Sequence, residues 1–74
     1  MVAATPFRCV LRDAEDRVLH DVELWGDMPA AAVAEAEALS RQFDPTPHVY
    51  EVWQGGQLLR RALSMRDGTT LPLG

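Results

Sequence analysis

The segment His48 to Leu63, HVYEVWQGGQLLRRAL, decides how we interpret the whole chain, because two apolar-rich runs meet in it at Gly55-Gly56. Two consecutive glycines readily adopt the positive φ angles that a two-residue hairpin turn requires, so the segment predicts a β-hairpin. With these glycines as the turn, apolar residues oppose apolar residues and Glu51 lies opposite Arg60. Such cross-strand pairs are stabilising, and their agreement supports this register.

A second hairpin is predicted near the start of the chain, from two runs in which apolar and polar residues alternate. Residues 7–12 and 17–25 form these runs, and the polar residues 13–16 separate them. A four-residue loop places Arg8 opposite Asp21, so a charged pair again supports the predicted register.

An α-helix is predicted between the two hairpins, over Met28 to Phe43. The segment is rich in alanine, which has the highest helix propensity and whose small side chain lets a helix lie close to a sheet. Asp27 is the expected N-cap, and Pro29 lies in the first turn, where its missing N–H costs no helical hydrogen bond. The segment DPTP at residues 44–47 ends the helix, because a residue before proline avoids the helical conformation.

The predicted order is strand, strand, helix, strand, strand, which indicates an α+β fold of the ββαββ type. An isolated hairpin is only marginally stable, so we expect one four-stranded, mainly antiparallel sheet with the single helix packed on one face. Two strand orders are compatible with the sequence, 2-1-3-4 and, as in a minimal β-grasp, 2-1-4-3. We expect a single domain over residues 6–63 and an irregular C-terminal tail over residues 64–74.

The composition is that of a small folded domain. The chain has 74 residues, 47% of them hydrophobic, so we expect one domain with a thin core. Its net charge of −4 argues against sequence-independent binding to DNA, and its single cysteine, Cys9, excludes an internal disulfide. The start, MVAATPFRCVL, lacks the pattern of a signal peptide, and no apolar run approaches the ~20 residues that span a bilayer. We therefore expect a cytoplasmic protein that does not enter the membrane.

The face of the sheet that the helix does not cover is the surface expected to bind a partner. Aromatic and aliphatic residues ringed by paired charges are typical of protein–protein interfaces. Three alternatives stay open: these residues form ordinary protein surface, the tail covers them through Leu71 and Leu73, or the predicted register is wrong. The residues predicted on this face are Val10, Leu19, Val49, Trp53, Leu58 and Ala62, with Trp25 as a further candidate and Arg8, Asp21, Glu51 and Arg60 around them.

Residues that bind metals or catalyse reactions form no recognisable pattern in the sequence. Cys9, His20 and His48 are predicted on the helix side, with Cys9 opposite His20, but the spacing of a zinc site is missing and we interpret them as core residues. There is no Ser–His–Asp arrangement and no glycine-rich phosphate loop, so we expect no enzyme activity and no cofactor. Tyr50 opposite Arg61 predicts a cation–π pair.

The segments RDAEDRVLHDVELW and HVYEVWQGGQLLRRAL, with the Ala/Glu-rich helix between them, resemble a widespread group of short, uncharacterised bacterial proteins. These share a strand, an acidic turn, a second strand, an alanine-rich helix and a VEVW-x-G-x-x-L ending. The resemblance covers residues 6–63 and implies the ββαββ order. It implies no activity and no catalytic residues.

Together these features lead us to expect a small non-catalytic binding or self-association module that uses the open sheet face. The expected partner is a second copy or another protein. A homodimer would form through a self-complementary patch on the open sheet face or through an edge strand. The alternative is binding of single-stranded nucleic acid on the same face, with bases stacked on Trp53 beside arginines. Acidic residues border the first hairpin and make this alternative the less favoured one. The residues expected to contribute to the interface are Trp53, Leu58, Val10, Leu19, Val49, Arg8 and Arg60.

Overall fold

The computed structural model describes residues 5–43 and 48–73, which form one α-helix and five β-strands. The last strand lies in the segment that we expected to be an irregular tail. In chain order the elements are β1 (Phe7–Arg12), β2 (Val18–Glu23), α1 (Pro29–Gln42), β3 (His48–Gln54), β4 (Gln57–Ser64) and β5 (Thr70–Pro72).

The strands form a single antiparallel sheet in the order β2-β1-β3-β4-β5. The predicted α+β class and the 2-1-3-4 order of the first four strands are confirmed. The β-grasp alternative is wrong, because β1 pairs with β3 and not with β4. The fifth strand is an addition to the predicted sheet, and it pairs with residues 62–64 at the C-terminal end of β4.

The Gly55-Gly56 turn joins β3 and β4 as predicted. Gly55 has a φ of 59°, and of the two glycines it alone has a positive φ, which is the pattern of a type II′ hairpin turn. Gln54 pairs with Gln57 and Trp53 pairs with Leu58 on either side of the turn. The local register at the turn is therefore the one that the glycine pair predicts.

The register of this hairpin shifts by one residue between Val52 and Trp53, where β4 carries a bulge. Arg61 consequently lies opposite Glu51, so the predicted pairing of Glu51 with Arg60 is wrong. The physical reason is that one extra residue in a strand moves every side chain beyond it to the other face. Which arginine reaches which face of the sheet is thus decided by the bulge.

Residues 13–17 connect β1 to β2, and the loop between the paired residues Asp13 and Arg17 has three residues, where four were predicted. The backbone N–H of Asp13 donates to the carbonyl of Arg17 at 3.0 Å, and Asp16 adopts a φ of 67°. The Asp13 carboxylate accepts the N–H groups of Glu15 and Arg17, both at 2.9 Å. A three-residue loop closed by a left-handed residue is a common hairpin type, and aspartate tolerates that conformation.

The shorter loop shifts the register of the first hairpin by one residue. An extra residue in β2, Leu19, shifts it by one more, so that Asp21 lies opposite Val10. The prediction that Arg8 lies directly opposite Asp21 is therefore wrong. The two side chains nevertheless form a diagonal salt bridge of 2.8 Å across the strands.

The chain leading into α1 is held by a side chain of the helix itself. The N-cap is Met28, which has no side-chain capping hydrogen bond, so the prediction of Asp27 as N-cap is wrong by one residue. Glu35 instead accepts the backbone N–H groups of Trp25 and Gly26, each at 2.9 Å. These bonds satisfy two backbone N–H groups that precede the helix and have no acceptor in its backbone.

The hydrophobic core lies between α1 and one face of the sheet. Ala32 and Ala36 are fully buried at a spacing of four residues, so one narrow stripe of small side chains faces the strands. This stripe lets the helix approach the sheet closely. The core consists of Phe7, Cys9, Leu11, Leu24, Ala32, Ala36, Tyr50, Val52 and Ala62.

Candidate functional site: the open face of the sheet

The face of the sheet turned away from α1 is called the open face below. Directly paired residues of antiparallel strands lie on the same face, so the strand register defines its members. Pairs of core residues, such as Cys9 with Val52, alternate along the strands with pairs on the open face. The open face consists of Arg8, Val10 and Arg12 of β1, Val18, Asp21 and Glu23 of β2, Val49, Glu51 and Trp53 of β3, Leu58, Arg61 and Leu63 of β4, and Leu71 of β5.

A buried carboxylate lies at the centre of the open face. Glu51 is only 5% exposed, although α1 packs on the opposite side of the sheet. Its Oε1 accepts hydrogen bonds from Nε of Arg12 at 2.9 Å and from the indole Nε1 of Trp53 at 3.0 Å. Its Oε2 lies 3.2 Å from Nε of Arg61. Side chains from three adjacent strands therefore cover this carboxylate without help from the helix.

The charge of Glu51 is compensated within this network. A buried carboxylate is tolerated only when it is paired and hydrogen-bonded, and here two guanidinium groups and one indole supply the donors. The Arg12 and Arg61 side chains stay 24% and 41% exposed, so water still solvates part of each cation. The hydrogen bond that the Arg12 guanidinium donates to Glu51 raises the pKa of Arg12. The network links β1, β3 and β4 across the open face.

The Glu51 network also orients the aromatic ring of Trp53. An indole N–H that is removed from water needs an acceptor, and Glu51 provides it. Trp53 is half-buried, and its cross-strand partner Leu58 is 41% exposed beside the turn. This pair therefore forms a rigid aromatic and aliphatic surface at one end of the open face.

Four of the seven residues predicted at the interface add apolar or aromatic side chains to this face. Trp53, Leu58 and Val49 lie there with part of their surface accessible. Val10 lies there too, but at 8% exposure it offers little area for contact. Leu19 falls at the register shift of β2 without a partner in the ladder, and it is 38% exposed.

Arg8 is the fifth of the predicted interface residues that lies on the open face, and it is at the rim. It is opposite Trp53 of β3 and Glu23 of β2, and it forms the salt bridge with Asp21. The Arg8 and Asp21 side chains are each 45% exposed, so the bridge is a surface pair of modest energy. The rim carries both signs of charge close together.

The bulge in β4 removes two predicted residues from the open face. Arg60 lies opposite Val52 on the helix-covered face, where its Nε is 3.4 Å from the Tyr50 hydroxyl, and Ala62 is fully buried in the core. Their predicted positions on the open face are wrong. Arg61 takes the position that the sequence assigned to Arg60.

The predicted cation–π pair between Tyr50 and Arg61 is also wrong, since the two side chains lie on opposite faces. The Tyr50 hydroxyl instead donates to Oε1 of Glu37 on α1 at 3.1 Å. Burial is the main cause that raises the pKa of Tyr50. Tyr50 thus fastens the sheet to the helix.

The tail extends the open face sideways. Leu71 of β5 pairs with Leu63 of β4 and is 47% exposed, and the backbone N–H of Leu73 donates to the carbonyl of Arg61 at 2.8 Å. The tail therefore runs beside β4 and adds apolar surface next to Leu63. The alternative that the tail covers the apolar residues of this face through Leu71 and Leu73 is wrong, because the tail pairs with the edge of β4 as a fifth strand.

The polar residues of the covered face include a Ser–His pair that the sequence did not reveal. Ser40 Oγ and His48 Nε2 are 2.8 Å apart, and the two residues are 0% and 1% exposed. No substrate reaches a hydroxyl buried to that degree, so the pair is a structural link between α1 and β3. The sequence contains no signal for it, because the pairing depends on how the helix end meets the strand.

The three candidate zinc ligands are separated in the structure. Cys9 lies opposite Val22, so the prediction that it faces His20 is wrong. His20 instead stacks on Phe43 at 5.9 Å between ring centroids, and His48 packs edge-on against the same ring at 5.2 Å. Burial raises the pKa of the Cys9 thiol to about 12, which keeps it protonated and unreactive.

Comparisons with protein-family models, with curated proteins and with solved structures find no match to this chain. Within residues 5–43 and 48–73, no cluster of three or more His, Cys, Asp or Glu residues is arranged to hold a metal ion. The same part of the chain contains no helix with the length and apolar character needed to cross a bilayer.

Proposed function

We propose that this chain is a small non-catalytic binding module that associates through its open face, with a second copy of itself as the partner. The observation that carries the proposal is the Glu51 network, which orients Trp53 next to partly exposed aliphatic residues. Such a preorganised aromatic group lowers the entropy cost of binding, and aromatic residues are enriched at the centre of interfaces. The buried free thiol fits a reducing compartment, so the cytoplasm is the proposed location.

The charges at the rim suit a pair of identical surfaces. A two-fold axis brings each residue of a patch against another residue of the same patch in the partner. Arg8 lies beside Asp21 and Glu23 on the open face, so rotation by 180° can place an arginine of one copy against a carboxylate of the other. This complementarity favours a specific orientation over a loose apolar contact.

The size of the open face sets the expected strength of association. Strands about 4.8 Å apart and about 20 Å long give a face of roughly 500 Å² per copy, or about 1,000 Å² for a pair. This area is at the lower limit of specific interfaces. We therefore expect a reversible homodimer with a dissociation constant in the micromolar range.

The edges of the sheet are less suited to pairing with another chain. β5 is three residues long and includes Pro72, which has no N–H to donate. β4 carries its bulge between Leu58 and Arg60. A notch of about 190 Å³ separates this part of β4 from residues 72–73 at the end of β5. On the other edge, β2 exposes the charged residues Asp21 and Glu23. Bulges, prolines and charges are the usual means of preventing edge-to-edge association.

Single-stranded nucleic acid is the second candidate for the open face, and it has less support. A nucleic-acid groove needs arginines available to phosphates. On the open face Arg8 is paired with Asp21, whereas Arg12 and Arg61 are both paired with Glu51. The resemblance to the group of short bacterial proteins stays a prediction and supplies no choice between the two.

Sedimentation equilibrium of the wild-type chain from low micromolar to millimolar concentration tests the proposal. We expect a reversible monomer–dimer equilibrium that Leu58→Glu abolishes, because a charge is placed beside Trp53 in the interface. Leu58 suits this test better than Trp53, whose indole is bonded to Glu51. Leu39→Glu is the matched control, since Leu39 is 37% exposed on α1 on the other side of the molecule.

The control separates a specific interface from general solubility effects. If association depends on the open face, Leu39→Glu dimerises like the wild type and Leu58→Glu stays monomeric. A wild type that stays monomeric at millimolar concentration, or two variants with the same dissociation constant, would rule out the proposed homodimer.

A further inference from the structure

The loop between β2 and α1 displays a tryptophan almost completely to solvent. Trp25 is 93% exposed, the highest value among the large hydrophobic residues of the described chain, and Met28 beside it is 62% exposed. Isolated apolar residues on a surface are common, but a bare indole is a large apolar area to leave in water. This loop is separate from the open face considered above.

The backbone under Trp25 is rigid despite its exposure. Both carboxylate oxygens of Glu35 accept the Trp25 N–H, at 2.9 and 3.0 Å, and Oε1 also accepts the Gly26 N–H. Gly26 packs so closely on the first turn of α1 that a Cβ there would lie 2.9 Å from the backbone nitrogen of Ala32. The backbone that carries the indole is therefore held in place, so less loop entropy is lost on binding here.

A cleft of about 190 Å³ opens beside the indole. Its walls combine Pro6, Phe7 and Leu24 with Trp25, and Asp27 lies at the same site. The Asp27 carboxylate is exposed, and within the described residues it makes no hydrogen bond or ion pair. An engineered cavity of about 150 Å³ holds a benzene-sized group, so this cleft is large enough for one planar side chain.

We propose that this cleft binds an arginine side chain presented by an extended segment of a partner protein. A guanidinium stacks on an indole face, forms paired hydrogen bonds to a carboxylate and lays its aliphatic stem on apolar walls. Trp25, Asp27 and the Pro6–Phe7–Leu24 wall supply these three features at one site. The net charge of −4 favours the approach of a basic segment.

Six of the seven arginines already pair with a carboxylate of the same chain, namely Arg8, Arg12, Arg17, Arg41, Arg60 and Arg61. Arg66 forms no ion pair within the described residues, but it lies between β4 and β5, at the edge of the sheet opposite β2 and the loop that follows it. The cation that the cleft binds is therefore expected to come from another chain. The cleft lies apart from the open face, so failure of this proposal leaves the proposed self-association standing, and the reverse is equally true.

The test is an NMR titration of the ¹⁵N-labelled full chain with the capped peptide Gly-Ala-Arg-Ala-Gly. The same peptide with citrulline in place of arginine is the matched probe, because citrulline keeps the shape and loses the charge. We expect the arginine peptide to shift the Trp25 indole peak with a millimolar dissociation constant, roughly five-fold or more tighter than the citrulline peptide. The Trp25 peak is identified by its loss in Trp25→Phe.

Two variants complete the experiment, and each of them removes one negative charge. Asp27→Asn is expected to reduce the affinity for the arginine peptide to that of the citrulline peptide, whereas Asp67→Asn, in the turn before β5, leaves it unchanged. The proposal is overturned by equal affinities for the two peptides, by the absence of a shift up to about 20 mM peptide, or by an Asp27→Asn variant that binds like the wild type. A Trp25 peak that moves with protein concentration alone would also overturn it, since a second copy would then occupy the cleft.

Discussion

The two faces of the sheet bury their central residues by different means. Tyr50 and Glu51 are consecutive in β3, point to opposite faces and are 0% and 5% exposed. On the covered face the burial comes from the apolar stripe of α1, whereas on the open face it comes from Arg12, Trp53 and Arg61. A small domain can therefore close the centre of a sheet face with polar bonds and still leave apolar side chains accessible near the ends of that face.

The largest effect is expected from removing apolar volume on the covered face. Leu11 is 2% exposed in the core, so Leu11→Ala should cost about 3 kcal/mol of the free energy of unfolding, through lost burial and the cavity left behind. The same substitution on the open face, Leu58→Ala, should cost less than about 1 kcal/mol. Urea denaturation at low protein concentration measures both. Equal losses would show that the two faces do not differ in the way described.

Removing the central carboxylate should cost nearly as much on the open face. Glu51→Ala leaves two arginines and one indole without their shared acceptor, and we expect a loss of about 2–3 kcal/mol. The partial exposure of Arg12 and Arg61 keeps this below the cost of a fully buried pair. Glu15→Ala is the control, because Glu15 and Arg17 form an ion pair with both side chains more than 70% exposed.

The control should change the free energy of unfolding by less than about 0.5 kcal/mol. A Glu51→Ala variant as stable as Glu15→Ala would mean that the Glu51 network contributes nothing to the open face.

A smaller effect is expected at the polar link between α1 and β3. Ser40→Ala removes the 2.8 Å hydrogen bond to His48 in a fully buried position and should cost about 1–2 kcal/mol. Thermal and urea denaturation detect a loss of this size. Unchanged stability would show that this bond does not help to hold the helix against the covered face.

The smallest effect is a dependence on pH at the turn that connects β1 to β2. The Arg17 backbone N–H, together with that of Glu15, lowers the pKa of Asp13 from its ordinary value of 3.8. The ionised form is thus favoured in the folded state, so its stabilisation is present above about pH 4 and is lost as the pH falls through the lowered pKa. Asp13→Asn should remove this part of the acid dependence. Denaturation curves between pH 2 and pH 6 compare the two, and parallel pH profiles would contradict the assignment.

The sequence predicted the elements of this fold well because their signals are local. The Gly55-Gly56 turn, the alternation along the strands and the alanine-rich helix each depend on residues close together in the chain. The strand order 2-1-3-4 could not be chosen over 2-1-4-3, since both bury the same residues under one helix. The short strand β5 has no alternating pattern of its own, and it forms because β4 offers an adjacent edge.

The open face was predicted less accurately because of shifts in strand register. One extra residue in β4 exchanges Arg60 and Arg61 between the faces, and the loop after β1 together with an extra residue in β2 moves Asp21 from Arg8 to Val10. Neither extra residue is marked by a glycine within its strand. The Glu51 network was missed for the same reason, since it depends on Arg61 reaching the open face.

The central claim, that the open face is the surface through which this chain associates, is tested most directly by the concentration dependence of its NMR spectrum. A series from about 20 µM to 1 mM spans the expected dissociation constant. We predict that the peaks that move are the Trp53 indole and the amides of Arg8, Val49 and Leu58, while those of α1 stay fixed. Peaks that do not move across the series, or movement confined to α1 and the outer edge of β2, would contradict the account.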